Sequence, residues 1–395
     1  MAFRKPYMIF LYVIINFCTI GCTEPFDIGT ETFEDILVIE AVLTDELKQH
    51  EIQLSRTFRL EEESFFGESN ADVRVIDNLQ NEYVFEEADM GKYVSVSPFM
   101  IQSDRNYQLT IRTENGETYV SESVTLPQKT QIDDLYAEKT VNESGDEGIA
   151  VFVDSFDATG NAIFYRYEYE ETYQIIAPFW SEFEVEILSR NPPSFSVVPR
   201  TTEERICYKT DLSNTINITN TVNLSENRIT KFPVLFIDKN NTVLRNRYSI
   251  LVRQFIQSRK AQTFYETLKE FSDPESLFSQ VQPGFINGNI SSISNDQEKV
   301  LGFFDVSSVS SRRIFFEFKD FFPNETRPPF FIDCEVLDFS PSTPQGASNL
   351  LNFISIGYDN LSGYDSFTDT YFMTLTGCGD CNEFGSNVTP DFWEN

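Results

Sequence analysis

Histidine is almost missing from this chain: His50 is the only one in 395 residues. That scarcity rules out most histidine-based metal sites and histidine acid–base pairs. His50 sits in the polar stretch Leu47-Lys48-Gln49-His50-Glu51 and is expected in a surface loop. Basic residues are also scarce, 30 against 62 acidic ones, for a formal net charge of −32. So acidic a chain repels phosphate backbones, which excludes nucleic acid as a partner. It repels anionic lipid too, so a basic patch cannot be its membrane attachment. The sequence has no Gly-rich phosphate loop, no Gly-X-Ser-X-Gly elbow, no His-Glu-X-X-His pair and no EF-hand spacing of carboxylates. Asp and Glu are so numerous that no glycosidase pair can be singled out. The expectation is a protein that is not an enzyme and that uses neither cofactor nor metal.

What is present begins at the first residue. Arg4 and Lys5 form a short basic start, and Ile9 to Phe17 is almost wholly apolar. Small Gly21 then stands directly before Cys22. The run is too short and wrongly flanked for a stable membrane span and reads as a secretory signal over residues 1–21. A Cys directly after a small residue resembles a bacterial lipoprotein signal, in which the Cys22 thiol is acylated and becomes the new N-terminus. Thr19 stands where Leu is usual. Residues 22–35, acidic and turn-prone, read as a tether. The membrane is then reached through acyl chains on Cys22.

Six cysteines are present. Cys18 leaves with the signal and Cys22 is the anchor, which leaves Cys207, Cys334, Cys378 and Cys381. An even number in an exported chain points to two disulfides, with all three pairings open. Cys378-Gly-Asp-Cys381 also has the spacing of a redox pair or half a zinc site. Cys207 and Cys334 lie far apart for a second zinc pair, and the Gly- and Asn-rich flank lacks the strand–helix context of a redox motif.

The body reads as mainly β. Ile36 to Leu43 forms a first strand, and Ile52 and Leu54 alternate with polar residues in a second. Val73-Arg74-Val75-Ile76 and Tyr83-Val84-Phe85 form a hairpin. Tyr107, Leu109 and Ile111 alternate up to Asn115-Gly116, and Tyr119-Val120 runs back; Asn-Gly there predicts a two-residue type I′ turn. Strands at this spacing predict an immunoglobulin-like β-sandwich over residues 36–127. Residues 128–395 predict a larger β-rich domain with one or two helices. In it Tyr165, Tyr167 and Tyr169 form a period-two stripe that packs against a neighbouring sheet. Ala261, Phe264, Tyr265, Leu268 and Phe271 recur at helical spacing, giving a helix near 258–272. Two strands follow, Val300 to Phe304 and Arg313 to Phe318. Phe179, Trp180 and Phe183 are an aromatic set able to stack on a sugar or peptide, with sheet packing as the competing reading.

The order of segments carries a resemblance. Leu37-Val38-Ile39-Glu40-Ala41-Val42-Leu43-Thr44-Asp45, Ile52-Gln53-Leu54-Ser55-Arg56-Thr57, Gly91-Lys92-Tyr93 and Tyr119-Val120-Ser121-Glu122 stand in the early part. Asn287-Gly288-Asn289-Ile290, Leu301-Gly302-Phe303-Phe304, Cys378-Gly-Asp-Cys381 and Pro390-Asp391-Phe392-Trp393 stand in the later part. Together they resemble the Bacteroidota lipoproteins of the domain-of-unknown-function 4249 family. Cys207-Tyr208 departs from the expected Cys-Trp. The resemblance implies an outer-membrane location, facing the cell exterior, and an accessory role beside a β-barrel partner, a TonB-dependent transporter. It transfers no catalytic residue. Glu24 and Asp27 resemble the acidic signal that sends such lipoproteins to the cell surface. The competing expectation is an accessory subunit of outer-membrane assembly or secretion machinery.

Overall fold

The computed structural model describes residues 35–57, 66–272, 286–295 and 297–394. The signal over 1–21, Cys22 and the tether to residue 34 lie outside the described residues. Among the described residues the fold is mainly β, with one sheet of fifteen strands, three smaller sheets and few helices.

The first strand, Leu37–Thr44, points Leu37, Ile39, Ala41 and Leu43 into one core. It pairs antiparallel with Glu51–Arg56 and, on its other edge, parallel with Val300–Phe316. At the far end of the same series, Thr118–Ser121 pairs with Ile290–Ser292. Strands from the later chain therefore complete the N-terminal sheet at both edges, and Ile290, Val300, Phe304 and Val306 fill its core. Main-chain hydrogen bonds thus cross the division expected at residue 127.

The two late segments also meet each other. The Asn289 side chain donates to Phe304 O at 2.9 Å and accepts from Phe304 N at 2.8 Å, replacing the missing strand bonds. Gly288 faces Gly302 so closely that a Cβ on Gly288 would lie 1.6 Å from the Gly302 carbonyl oxygen. Gly302 itself has φ +151, and a Cβ there would meet Ile39 O at 2.2 Å. Only glycine fits both places.

Val300–Phe316 is a single strand of 17 residues, where two strands were expected. The serine-rich stretch between them reads as a turn by composition. Packing overrides it: Ser307, Ser308 and Ser310 are buried, and Ser310 Oγ donates to Thr130 O at 3.0 Å. Past Phe316 the chain leaves the sheet, and Phe318 starts a short helix, Phe318–Phe321.

This long strand also pairs with Tyr248–Gln257, which pairs with Phe164–Ile176. Over these strands lies a three-stranded sheet of Asp134–Val141, Glu147–Phe156 and Arg228–Asp238. Tyr165 and Tyr167, both 0% exposed, pack between the layers with Ile149, Val151 and Val153, as the stripe predicted. The helix Arg259–Ser272 lies on the opposite face of the large sheet, with Ala261 and Phe264 packed on Phe303 and Ile286. No helix among the described residues is long and apolar enough to cross a membrane.

Two local expectations are corrected. The Asn115-Gly116 turn is longer than two residues: Thr113 N donates to Glu117 O at 3.0 Å, and of the pair only Gly116 has positive φ. Asn115 instead caps the loop, its Oδ1 accepting from Thr113 Oγ1 at 2.5 Å and Glu117 N at 3.2 Å. His50 is not in a surface loop. It is 1% exposed, with Nε2 bonded to Phe99 O at 3.0 Å and its ring against Phe99. Its neighbours Gln49 and Glu51 face solvent, which gives the stretch its polar look while the bridge between Lys48 and Phe99 turns His50 inward.

Candidate functional site

The strand Phe164–Ile176 is covered on both faces over its first half. One face carries Tyr165 and Tyr167 into the main core. The other carries Phe164, Arg166, Glu168 and Glu170. Arg166 lies directly opposite Phe255 on the neighbouring strand. Its guanidinium carbon is 4.2 Å from the Phe255 ring centroid and 4.8 Å from that of Tyr265 on the helix. The cation thus lies over two aromatic rings. The edges are left for hydrogen bonding. Nη1 donates to Glu168 Oε1. Nε and Nη2 are buried and have no hydrogen-bond partner among the described residues. Those two atoms carry parallel N–H bonds along one edge, the fork that fits the two oxygens of an oxyanion. The Arg166 side chain is 7% exposed.

Two cavities share this residue. One, of about 480 Å³, runs from Arg166 and Glu170 past residues 212–217 to Arg253. The other, of about 390 Å³, lies between the helix and the strands Leu37–Thr44 and Val300–Phe316. Val38, Val42, Phe264, Leu268, Leu301 and Phe303 give it an apolar wall. Arg166, Glu168 and Tyr265 line both. A polar chamber and an apolar chamber therefore meet at one guanidinium.

The surrounding charges are mostly committed elsewhere. Glu170 accepts from Arg313 at 2.9 Å, and Glu46 pairs with Arg253. Glu168 is 41% exposed. Asp305, buried beneath the helix, accepts from Ser307 Oγ at 2.7 Å. Burial pushes the Asp305 carboxyl above its ordinary range, against the opposing pull of Ser307 and Arg166. Burial likewise pushes the Tyr265 hydroxyl up to about 12, although Arg166 pulls the other way. Burial also works against the Arg166 charge, and the groups around it, Tyr265 first, outweigh that cost. The arrangement can bind and orient an anionic group. Among the described residues no group of three or more His, Cys, Asp or Glu is placed to hold a metal ion.

The cysteines do form two disulfides, Cys207–Cys381 and Cys334–Cys378. The two members of Cys378-Gly-Asp-Cys381 thus take different partners, so the motif is neither a redox pair nor half a zinc site. Trp393 of the tail packs on Tyr208 and Phe315, at centroid distances of 4.8 and 5.5 Å. The aromatic set Phe179, Trp180 and Phe183 does not converge on one cleft. Trp180 packs against the main core. Phe183 is 48% exposed at the start of a hairpin. Phe179 lines a shallow cavity with Phe330 and Phe331, while its main chain is fixed by Cys378 O and Asn360 Nδ2. Cys22 lies outside the described residues.

The family described as "Domain of unknown function (DUF4249)" matches residues 23–313. The chain belongs to that family. The two closely packed glycines of this DUF4249 chain, Gly288 and Gly302, fall inside the matched region, as does Arg166. No curated protein matches the chain. A solved structure of a DUF4785 family protein from Legionella pneumophila aligns with 54% of this chain at 10% identity and a TM-score of 0.15. The aligned part is 50% of that protein, so the chain spans about half its length.

In the sequence Arg166 is masked by the tyrosine stripe, standing between the core-facing Tyr165 and Tyr167. One signal was available: a lone Arg on the second face of a strand whose first face is all core.

Proposed function

We propose that this DUF4249 chain is a non-enzymatic binding lipoprotein of the outer membrane. It is tethered through acylated Cys22, faces the cell exterior, and serves a TonB-dependent transporter as an accessory that binds ligand or partner. The observation that carries the reading is the Gly21-Cys22 junction after an apolar run, followed by an acidic tether. Hydrophobic anchoring by acyl chains suits a body too acidic to adhere by charge. The Arg166 cleft supports the binding half of the reading, since it is concave and couples an apolar wall to a convergent polar group.

Replacing the anchor tests it. Cys22→Ser is expected to move the mature chain from the envelope pellet to the soluble fraction and to abolish fatty-acid labelling. The unaltered chain, extracted in mild detergent, is expected to bring a TonB-dependent barrel with it. Sedimentation unchanged by the substitution would overturn the anchor. Recovery of the assembly barrel, or of no barrel at all, would overturn the assigned partner.

A further inference from the structure

We propose that the Arg166 cleft binds a monocarboxylate with an apolar body. The carboxylate lies on the Nε/Nη2 edge of Arg166 in a bidentate pair, and the body occupies the apolar chamber against Phe264, Leu268, Leu301 and Phe303. The proposal deepens the binding role given above by naming the ligand class, and it rests on that role only in treating the cleft as functional.

Four features select this chemistry. First, the unpartnered atoms are the two donors of one guanidinium edge, buried in a side chain 7% exposed. A buried donor without a partner is costly, and a pair of them in fork geometry is a template for two acceptor oxygens. Second, the Phe255 and Tyr265 ring centroids lie 4.2 and 4.8 Å from the guanidinium carbon, which leaves the N–H edges for a ligand. Third, a lone guanidinium already paired with Glu168 compensates a monocarboxylate better than it does a phosphate dianion. A phosphate dianion would meet Glu168, Glu170 and a body of net charge −32 with too little compensation. Fourth, the chamber that shares Arg166 is walled mainly by aliphatic and phenyl groups and encloses about 390 Å³. A small polar acid would leave that wall uncovered, whereas a chain or ring behind the carboxylate covers it.

Calorimetry on the mature chain carrying Cys22→Ser tests this, with octanoate, octanol and octylamine as probes. Octanoate is expected to bind at least about tenfold more tightly than either of the others. Arg166→Lys keeps a positive charge but lacks the fork, and is expected to weaken octanoate about tenfold and leave octanol unchanged. Leu268→Trp fills the apolar chamber from a half-exposed helix position, and is expected to weaken octanoate and octanol together. Thermal melting followed by circular dichroism identifies which variants are folded. Should Arg166→Lys not fold, Leu268→Trp and the three-probe comparison decide. Octanol or octylamine binding as tightly as octanoate would overturn the proposal. So would octanoate binding unaltered by either folded variant, or no octanoate binding at millimolar concentration. Such a failure leaves the anchor and barrel experiments untouched, so the two readings fall separately.

Discussion

Protonation of His50 is uphill in the folded chain. Burial, with a smaller push from Lys48, brings its pKa from 6.5 down to about 4. Nε2 is already engaged with Phe99 O, and Nδ1, where the second proton would go, is buried without a partner. The unfolded chain takes that proton near pH 6.5 and the folded chain near 4, so stability is lost as pH falls between those values. The loss from this one residue is on the order of 3 kcal/mol. His50→Gln keeps a donor for Phe99 O and removes the titration. Urea unfolding from pH 7 to pH 4 is expected to show a flatter acid limb in the variant. Parallel limbs would show that acid destabilisation arises elsewhere. Neither this residue nor Arg166 was legible in the sequence as it stands in the fold. Each owes its place to a partner far along the chain, Phe99 for His50 and the Phe255–Tyr265 pair for Arg166, and local composition carries no trace of such partners.

At the scale of elements, the meeting of Gly288 and Gly302 ties the segment that enters the large sheet's last strand, Ile290–Ser292, to Val300–Phe316 in the middle of that sheet. Gly302→Ala places a methyl group against Ile39 O and asks a side-chain-bearing residue to hold φ +151. The expected cost is about 3 kcal/mol or more, since backbone strain and a main-chain clash add. Chemical unfolding of the purified variant measures it, and a loss under about 1 kcal/mol would mean that the strand junction yields easily. Gly116, also at positive φ but with open space around it, is expected to tolerate Ala far better. Elements with a strong period were legible. The amphipathic spacing of Phe264, Tyr265, Leu268 and Phe271 gave the helix, and the alternation of Leu37, Ile39, Ala41 and Leu43 gave the first strand. The serine-rich centre of Val300–Phe316 was not, because small hydroxyl residues favour turns locally and enter a strand only when neighbours supply acceptors such as Thr130 O. The cysteine count gave two disulfides, while their pairing needed the fold.

For the whole molecule, the central fact is that one strand serves both halves. Val300–Phe316 pairs with Leu37–Thr44 along its first part and with Tyr248–Gln257 along its second. A fragment of residues 36–127 therefore keeps its hairpins but loses a parallel neighbour at one edge and Ile290–Ser292 at the other. Such a fragment is expected to be aggregated or only partly structured by circular dichroism and size-exclusion chromatography, because unpaired edges invite pairing between chains. A monomeric fragment with a sharp melting transition would show that the early strands close on their own. The same shared strand sets a timetable for biogenesis. Export N-terminus first delivers Leu37–Thr44 early and its parallel neighbour, Val300–Phe316, only after most of the chain. The emerging front half must wait, sticky-edged, until the rear arrives, so any stall in export strands an unfinished sheet that invites capture by chaperones or proteases.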